Sequence, residues 1–327
     1  MRSKKSNNVI ENVLYVESLF SLCLYEFVKS KTVKTMYILG SNICSDELFD
    51  KFDDCIVVNT DIQPLSLIEQ VSFKFGMIPS RLKGVESLTA YDVEYFGHDH
   101  LKLSIFLRCK KFTIIEDGLS NYRPQKVTLL KGLVTKFLGL DYKPYGFDHR
   151  IKKIYLTNLQ DVHPDICDKV VLVDRRKLLE SINDIFDSYF KIDAPYETRD
   201  GNEFVVLVTQ PLSEDGIVNE SEKLVIYRHI IENINKKVII KPHPREKTNY
   251  HICFSDLDVY VLDSHKLTET IHLISNLKTV ITLFSSLTFE PNTNIELVSL
   301  GTAFNRKLVA KFGEINISDS NYNYLLK

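Results

Sequence analysis

The chain has 327 residues, of which 44% are hydrophobic and 26% are charged, and its 41 Lys and Arg nearly balance its 43 Asp and Glu. The formal net charge of −2 argues against a dedicated nucleic-acid binder, which normally carries a basic excess. Because Gly and Pro number only 12 and 10, collagen-like and low-complexity classes are excluded. The length predicts two domains at about 150 residues each.

The start of the chain and its cysteines indicate a cytoplasmic, reduced protein. The basic residues within 2–5 resemble the charged region of a signal peptide, but Glu11 and Glu17 interrupt the apolar segment that should follow. The sequence contains no run of about 20 apolar residues, so no membrane-spanning helix is predicted. The 6 cysteines lack the close spacing of a disulfide framework or a zinc ribbon.

The first half of the chain alternates short apolar strands with helical stretches. Strands are predicted at 12–17, 34–39, 55–59, 93–96 and 112–115. Helices are predicted at 19–28, 47–52, 65–75 and 101–108. This alternation indicates a mostly parallel sheet with helices on both faces.

The pattern changes in the middle of the chain. Apolar residues stand among lysines between 123 and 153, and two interpretations stay open. The segment is either a helix packed on its own domain with a solvated basic rim, or an amphipathic surface that meets an anionic membrane or a polyanionic acceptor. Residues 170–191 are predicted to be largely helical, and 193–203 to form a linker.

A second alternation follows the linker. Strands are predicted at 204–208, 238–240, 257–262, 279–283 and 295–298, with helices at 221–233 and 267–273. We therefore predict an α/β fold of two Rossmann-like domains that face each other across a cleft, an N-terminal domain with its linker at 1–195 and a C-terminal domain at 196–327. In such folds ligands bind beyond the carboxyl ends of the strands.

Polar residues follow four of the predicted strands directly. They are Glu116-Asp117-Gly118, Thr209-Gln210-Pro211, Lys241-Pro242-His243-Pro244 and Ser285-Ser286. Because the carboxyl ends of parallel strands meet at one edge of a sheet, the last three groups should lie together. Asp117 should reach the cleft from the other domain.

Each of these residues also has a purely structural interpretation. Asp117 before Gly favours a tight turn, and Lys241 could simply point to solvent. Ser285 and Ser286 could cap a helix, although a helix N-terminus also binds phosphate. His243 is held between two prolines and is expected to have a pKa near neutrality, which suits a proton donor or a phosphate ligand.

Rival sites are weaker. His98-Asp99-His100 could hold a metal, but no further ligand cluster is evident, so no metal site is predicted. His163-Pro164 repeats the His-Pro pair in a polar connection and ranks below His243. The glycine-rich and nucleophile motifs of dinucleotide-binding domains, P-loop NTPases and α/β-hydrolases are not present in the sequence.

In order and setting, Glu116-Asp117-Gly118, His243-Pro244 and Ser285-Ser286 resemble the three short motifs of bacterial sialyltransferases with the two-domain GT-B fold. The closest likeness is to glycosyltransferase family 52, the lipooligosaccharide sialyltransferase family, and the bacterial polysialyltransferases are related. Weaker likenesses lie at 15–18, 151–156, 209–214 and 241–246.

The resemblance implies inverting, metal-independent transfer of sialic acid from CMP-sialic acid, without a cofactor, to galactose or sialic acid of a lipooligosaccharide or capsular glycan. It makes Asp117 the general base and His243 the general acid. The implied nucleotide-binding residues are Ser285, Ser286, Glu269, Pro244 and Gln210. The implied supporting residues are Glu116, Gly118 and Lys241. The domain at 1–195 would bind the acceptor and the domain at 196–327 the nucleotide sugar.

Two alternative functions stay open. The donor could be CMP-Kdo or a UDP-hexose, although a diphosphate would need more cations than Arg245, the one obvious candidate. The chain could also be a non-catalytic glycan- or nucleotide-binding protein, but such a protein needs neither Asp117 nor His243. The expected partners are a CMP-sugar donor and a glycan acceptor. Peripheral attachment at the inner face of the plasma membrane and a homodimer are kept open.

Overall fold

The computed structural model describes most of both halves of the chain. The described residues are 2–6, 9–60, 66, 69, 92–101, 103–104, 111–117, 143–159, 162–186, 189, 204–266, 268, 271, 274, 277–284, 295–303 and 305–314. The chain divides into two compact units, Met1–Ile185 and Phe186–Lys327. The predicted boundary between 195 and 196 lies outside the described residues and stays a prediction.

The first unit is built on a sheet with eight described strands. They are β1 (Arg2–Lys4), β2 (Asn12–Val16), β3 (Thr35–Gly40), β4 (Cys55–Val58), β5 (Glu94–Gly97), β6 (Phe112–Ile115), β7 (Ile154–Leu156) and β8 (Val170–Leu172). The spatial order is β1-β4-β3-β2-β5-β6-β7-β8. Only β1 is antiparallel to its neighbour, whereas the others pair in parallel.

Three α-helices and one 3-10 helix accompany this sheet in the described residues. They are α1 (Leu19–Val28), α2 (Asp46–Asp50), the 3-10 helix Pro164–Lys169 and α3 (Arg175–Ile185). Helix α1 begins where it does because the Ser18 hydroxyl caps the backbone N–H of Ser21. Helices α1 and α3 pack against each other.

The second unit contains a sheet whose five described strands are all parallel. The strands are β9 (Phe204–Val208), β10 (Lys237–Lys241), β11 (Val259–Val261), β12 (Thr279–Thr282) and β13 (Glu296–Ser299). The described helices are α4 (Glu220–Asn233), α5 (Tyr250–Cys253) and α6 (Arg306–Phe312). Reciprocal bonds between Asn219 and Glu222 form a capping box that starts α4. Apolar side chains cover both faces of the sheet, which explains why its strands read as continuous apolar runs.

Both sheets reverse their strand order beside their first parallel strand. In the second unit the order is β11-β10-β9-β12-β13, so the reversal lies between β9 and β12. In the first unit the corresponding reversal lies between β2 and β5. Such topological switch points are where doubly wound sheets bind ligands. The predicted α/β class with parallel, Rossmann-like sheets is confirmed.

Some predicted elements differ from the structure. The helix predicted over 170–191 was wrong at its start, because Val170–Leu172 forms the edge strand β8 and the helix begins only at Arg175. Strands β1 and β7 and helix α5 were not predicted. Most residues of the helices predicted at 65–75, 101–108 and 267–273 lie outside the described residues, as does the basic amphipathic segment up to 142. In the part of the chain that is described, no helix has the length and apolar character needed to cross a membrane.

Candidate active site

In the first unit, the loops after β5 and β6 bring two histidines to one carboxylate. Asp117 Oδ2 lies 3.3 Å from His98 Nδ1 and 3.2 Å from His100 Nε2. The Asp117 side chain is 25% exposed, whereas that of His98 is fully buried. The carboxylate therefore has one face toward solvent and another against a buried imidazole.

Gly97 at the end of β5 determines how the chain enters this cluster. Its φ is +142°, and a Cβ atom there would lie only 1.9 Å from the backbone oxygen of Tyr15 on the neighbouring strand β2. A side chain is therefore excluded at the point where the chain leaves the switch point and reaches His98.

A hydrogen-bond chain fixes the orientation of the His98 ring. The Ser21 hydroxyl donates its hydrogen to the backbone oxygen of Glu116. His98 Nε2 lies 2.7 Å from the same hydroxyl oxygen. Since that hydroxyl has already donated its hydrogen, Nε2 must carry a hydrogen and donate it to Ser21. Burial lowers the pKa of His98 to about 4, against the opposing effect of Asp117, so the ring is neutral at pH 7.

The neighbouring acidic residues have other partners. Asp99 accepts the backbone N–H groups of Tyr145 at 2.8 Å and Gly146 at 3.0 Å, and the Tyr145 ring stacks on His100 with centroids 4.6 Å apart. The buried Glu116 carboxylate accepts the backbone N–H of Thr157, which anchors the strand end that carries Asp117.

In the second unit, β9, β10 and β12 end side by side. Val208 pairs with both Lys241 and Thr282 in the register of the sheet, so the segments that follow these residues leave from one edge. Gln210 and His243 therefore start from neighbouring strand ends, as predicted. Ser285, Ser286, Glu269 and Gly118 lie outside the described residues.

The loop that carries His243 is held by one buried carboxylate. Glu246 accepts the backbone N–H of His243 at 2.7 Å, the Thr209 hydroxyl and the Tyr250 hydroxyl, the last at 2.7 Å. Burial raises the pKa of Glu246, although these hydrogen bonds oppose the shift. The carboxylate thus joins the ends of β9 and β10.

A fully buried lysine lies behind that carboxylate. Lys223 Nζ is 3.6 Å from Glu246, 3.0 Å from Glu214 and 3.2 Å from Glu220. A buried ammonium group needs such partners, because moving an ion from water into the protein interior costs on the order of several kcal/mol. This network was not predicted from the sequence, although residues 241–246 were recognised as a motif.

The ring of His243 is oriented by its own loop. Its Nδ1 accepts the backbone N–H of Arg245 at 3.1 Å, so the hydrogen of the neutral ring is on Nε2. The expected near-neutral pKa is wrong for this structure: burial, followed by the charges of Arg245 and Lys241, lowers the pKa of His243 to about 4. At pH 7 the ring is a neutral hydrogen-bond donor through Nε2.

Two nearby cations have defined roles in the loop. Arg245 pairs with both oxygens of Asp215 at 2.6 and 3.2 Å. Lys241 is fully buried rather than solvent-exposed, and its Nζ donates to the backbone oxygens of Pro242 at 2.7 Å and Ser264 at 3.0 Å. It therefore ties the His243 loop to the loop after β11.

Two buried acceptor atoms lie at this same edge. Gln210 Oε1 and Thr282 Oγ1 have no hydrogen-bond partner among the described residues. Buried polar atoms are usually paired, so these atoms mark a place where a ligand with donor groups could bind. Among the residues described, no group of three or more His, Cys, Asp or Glu side chains has an arrangement suited to a metal ion.

Comparison with known proteins agrees with the family resemblance that the sequence shows. The model of glycosyltransferase family 52 matches residues 43–302. An uncharacterised protein of Haemophilus influenzae is 30% identical over 298 residues, which cover 88% of this chain and 92% of the relative.

Solved structures share the fold. An alpha/beta-galactoside alpha-2,3-sialyltransferase from the luminous marine bacterium Photobacterium phosphoreum is 14% identical with a TM-score of 0.51, over 97% of this chain and 98% of that one. MnaA of S. aureus, solved with UDP, is 11% identical with a TM-score of 0.50, over 89% and 79% of the two chains. At these identities the similarity concerns the fold, and it agrees with the predicted GT-B type.

Proposed function

Because the chain belongs to glycosyltransferase family 52, we propose that it transfers sialic acid from CMP-sialic acid to a terminal galactose or sialic acid of a lipooligosaccharide or capsular glycan. The transfer inverts the anomeric centre and uses no metal. Glycosyl transfer itself follows from the family, whereas the donor, the acceptor and the roles of the residues are parts of the proposal.

The position of His243 is the observation that carries the proposal. A neutral imidazole presents Nε2–H beyond the carboxyl edge of a Rossmann-like sheet, where a nucleotide phosphate binds in such folds. The ring is held by Arg245 and the loop by Glu246, so little rearrangement is needed when the phosphate arrives. Preorganised donors of this kind stabilise the charge that develops on a leaving group.

In the proposed step, Asp117 removes the proton from the acceptor hydroxyl. The hydroxyl oxygen forms a bond to the anomeric carbon as the bond from that carbon to the CMP phosphate breaks, and CMP leaves with the electron pair. His243 Nε2–H donates to the departing phosphate oxygen. The base Asp117 and the hydrogen-bond donor His243 belong to different units. The proposed step therefore requires the cleft that is predicted from the sequence.

The rest of the donor site is proposed from the second sheet. Gln210 Oε1 and Thr282 Oγ1 could accept hydrogen bonds from the cytosine amino group or the ribose hydroxyls. We assign the phosphate to Ser285 and Ser286, a ribose contact to Glu269, and a loop-shaping role to Pro244.

A single phosphate fits this edge better than a diphosphate. Arg245 was the obvious cation for a UDP-sugar, but Asp215 already engages its guanidinium. Lys241, the other cation described at this loop, donates to backbone oxygens. A CMP-sugar, whose phosphate carries less charge, is therefore favoured over a UDP-hexose.

A second Glu-Asp-Gly triplet at 214–216 offers a rival base. Asp215 belongs to the same unit as His243, whereas Asp117 does not. However, the bidentate contact with Arg245 would have to open before Asp215 could take a proton. Asp117 contacts the imidazoles of His98 and His100 rather than a guanidinium and is the base that we propose, with Asp215→Asn as the matched comparison for Asp117→Asn.

A donor panel tests the proposed function. Purified protein is incubated with EDTA, a galactose-terminated acceptor and one of CMP-sialic acid, CMP-Kdo, UDP-glucose or UDP-galactose. We expect acceptor-dependent CMP release and a sialylated product only with CMP-sialic acid. Turnover with a UDP-sugar alone would overturn the donor assignment, and turnover with CMP-Kdo alone would retain the mechanism but change the sugar. Peripheral membrane attachment and a homodimer remain separate predictions.

A further inference from the structure

His98, which the proposed reaction does not use, has an arrangement that suggests a role behind Asp117. We propose that His98 is a positioning residue whose Nδ1 accepts a hydrogen bond from Asp117 once Asp117 has taken the acceptor proton. This inference rests on the proposed function, because it assumes that Asp117 is the base.

The tautomer of His98 is determined by its neighbours. Nε2 carries the hydrogen, since Ser21 gives its own hydrogen to Glu116 and can only accept from the ring. Nδ1 therefore presents a lone pair. Among the described residues this buried nitrogen has no hydrogen-bond partner, yet Asp117 Oδ2 is 3.3 Å away.

The contact between His98 Nδ1 and Asp117 Oδ2 differs between the two protonation states of Asp117. When its carboxyl group is ionised, two lone pairs oppose each other across this contact. When Oδ2 carries a proton, the same contact becomes an O–H···N hydrogen bond. His98 thus stabilises the protonated carboxyl group, which is the state that forms as the acceptor hydroxyl loses its proton. An interaction that strengthens along the reaction lowers the barrier rather than merely improving binding.

His100 acts on the same oxygen in the opposite sense. Its Nε2 is 3.2 Å from Asp117 Oδ2, and a hydrogen on this nitrogen donates to the ionised carboxylate. The described titratable groups around His98 are Asp117 and His100 together with Asp99 and Glu116. The last two accept backbone N–H groups of Tyr145, Gly146 and Thr157, which leaves Asp117 as the partner of His98 Nδ1.

The tautomer can be measured without substrate. ¹⁵N spectra of the full-length protein labelled at histidine distinguish the protonated ring nitrogen, and Ser21→Ala identifies the His98 signals because it removes the acceptor of Nε2–H. We expect a neutral His98 with its hydrogen on Nε2 at pH 7. A hydrogen on Nδ1, or an imidazolium at that pH, would overturn the proposal even if the protein proved to use another donor.

The pH profile of kcat with CMP-sialic acid tests the role. In His98→Asn an amide N–H can face the ionised Asp117 carboxylate, so we expect kcat to fall about 10-fold or more. The acid limb of the profile, which is the fall in kcat at low pH, should move to lower pH. The KM of the acceptor should change little. His100→Phe keeps the stacking on Tyr145 but removes the hydrogen-bond donor to Asp117, so its acid limb should move to higher pH.

A loss of activity in His98→Asn without a moved acid limb would show a merely structural role and overturn the inference. If wild-type protein transfers no sialic acid, the proposed function fails while the ¹⁵N result still decides the tautomer.

Discussion

The backbone N–H of His243 donates to the side chain of Glu246 at 2.7 Å, and this bond links the proposed leaving-group donor to a buried ionic network. Thr209 and Tyr250 donate to the same carboxylate, and Lys223 lies behind it. The His-Pro loop is thus positioned by a residue three places further along the chain, rather than by its two prolines alone.

Glu246→Gln should therefore impair both folding and catalysis. The backbone N–H of His243 and the hydroxyls of Thr209 and Tyr250 donate to the two carboxylate oxygens of Glu246. A glutamine has one such oxygen, and its amide N–H group would face these hydrogen-bond donors. We expect unfolding free energy to fall by about 1–3 kcal/mol and kcat by about 10-fold or more as His243 loses its orientation. Urea unfolding and steady-state kinetics measure the two effects.

Glu220→Gln is the matched control for that variant. Glu220 also contacts Lys223, and its side chain is 47% exposed. It accepts the Thr248 hydroxyl at 2.6 Å, whereas the backbone N–H of His243 donates to Glu246. A kcat loss as large as that of Glu246→Gln would refute a specific role of Glu246 in positioning His243.

His243→Ala should lower kcat by about 100-fold or more, within the range of acid–base groups. The reason is the loss of the Nε2–H donor to the departing phosphate. His163→Ala is the comparison: His163 caps the 3-10 helix through Nδ1, in the other unit, and its removal should leave kcat near the wild-type value. Equal rates for the wild type and His243→Ala would remove His243 from the mechanism.

Stability should fall as pH decreases from about 6.5 to about 4. The pKa of His98 is lowered from 6.5 to about 4 by burial, so the unfolded chain binds a proton in this range that the folded chain does not. By linkage the folded state loses up to about 3 kcal/mol from this group as pH falls. Urea unfolding at a series of pH values measures the slope. The slope should be shallower in His98→Asn than in the wild type.

Gln210→Leu should separate binding from stability. Gln210 Oε1 is a buried acceptor that has no partner among the described residues, and an apolar side chain of similar size removes this unpaired group. We expect the stability to be equal or higher and the KM of the donor to rise about 10-fold, with little change in kcat. A KM that stays at the wild-type value would remove Gln210 from the nucleotide site.

Much of the fold was predictable because buried parallel strands read as apolar runs. Phe112–Ile115 and Phe204–Val208 are strands with the predicted bounds. Strand β8 was assigned to a helix because it lies at the sheet edge, where Val171 and Leu172 are exposed and the apolar run is short. Strand β7 has only three residues, too few for a periodic signal.

The candidate site was predictable only in part. The rule that ligands bind beyond strand ends drew attention to Asp117 and His243, but it applied equally to His98, which follows β5 at the switch point. The position of His98 just after a predicted strand could have identified it, but residues 98–100 were considered only as metal ligands. The bond between Ser21 and Glu116 joins residues 95 positions apart, and only the folded sheet brings them together. The pKa of His243 also depends on burial, which the sequence does not report.

The central claim is that Asp117 is the base for sialyl transfer to a glycan hydroxyl. The most direct measurement is the rate at which a galactose-terminated acceptor gains one sialyl residue from CMP-sialic acid in EDTA, for wild type, Asp117→Asn and Asp215→Asn. We predict a loss of about 100-fold or more for Asp117→Asn and a much smaller loss for Asp215→Asn. An Asp117→Asn enzyme that sialylates the acceptor at the wild-type rate would contradict the account.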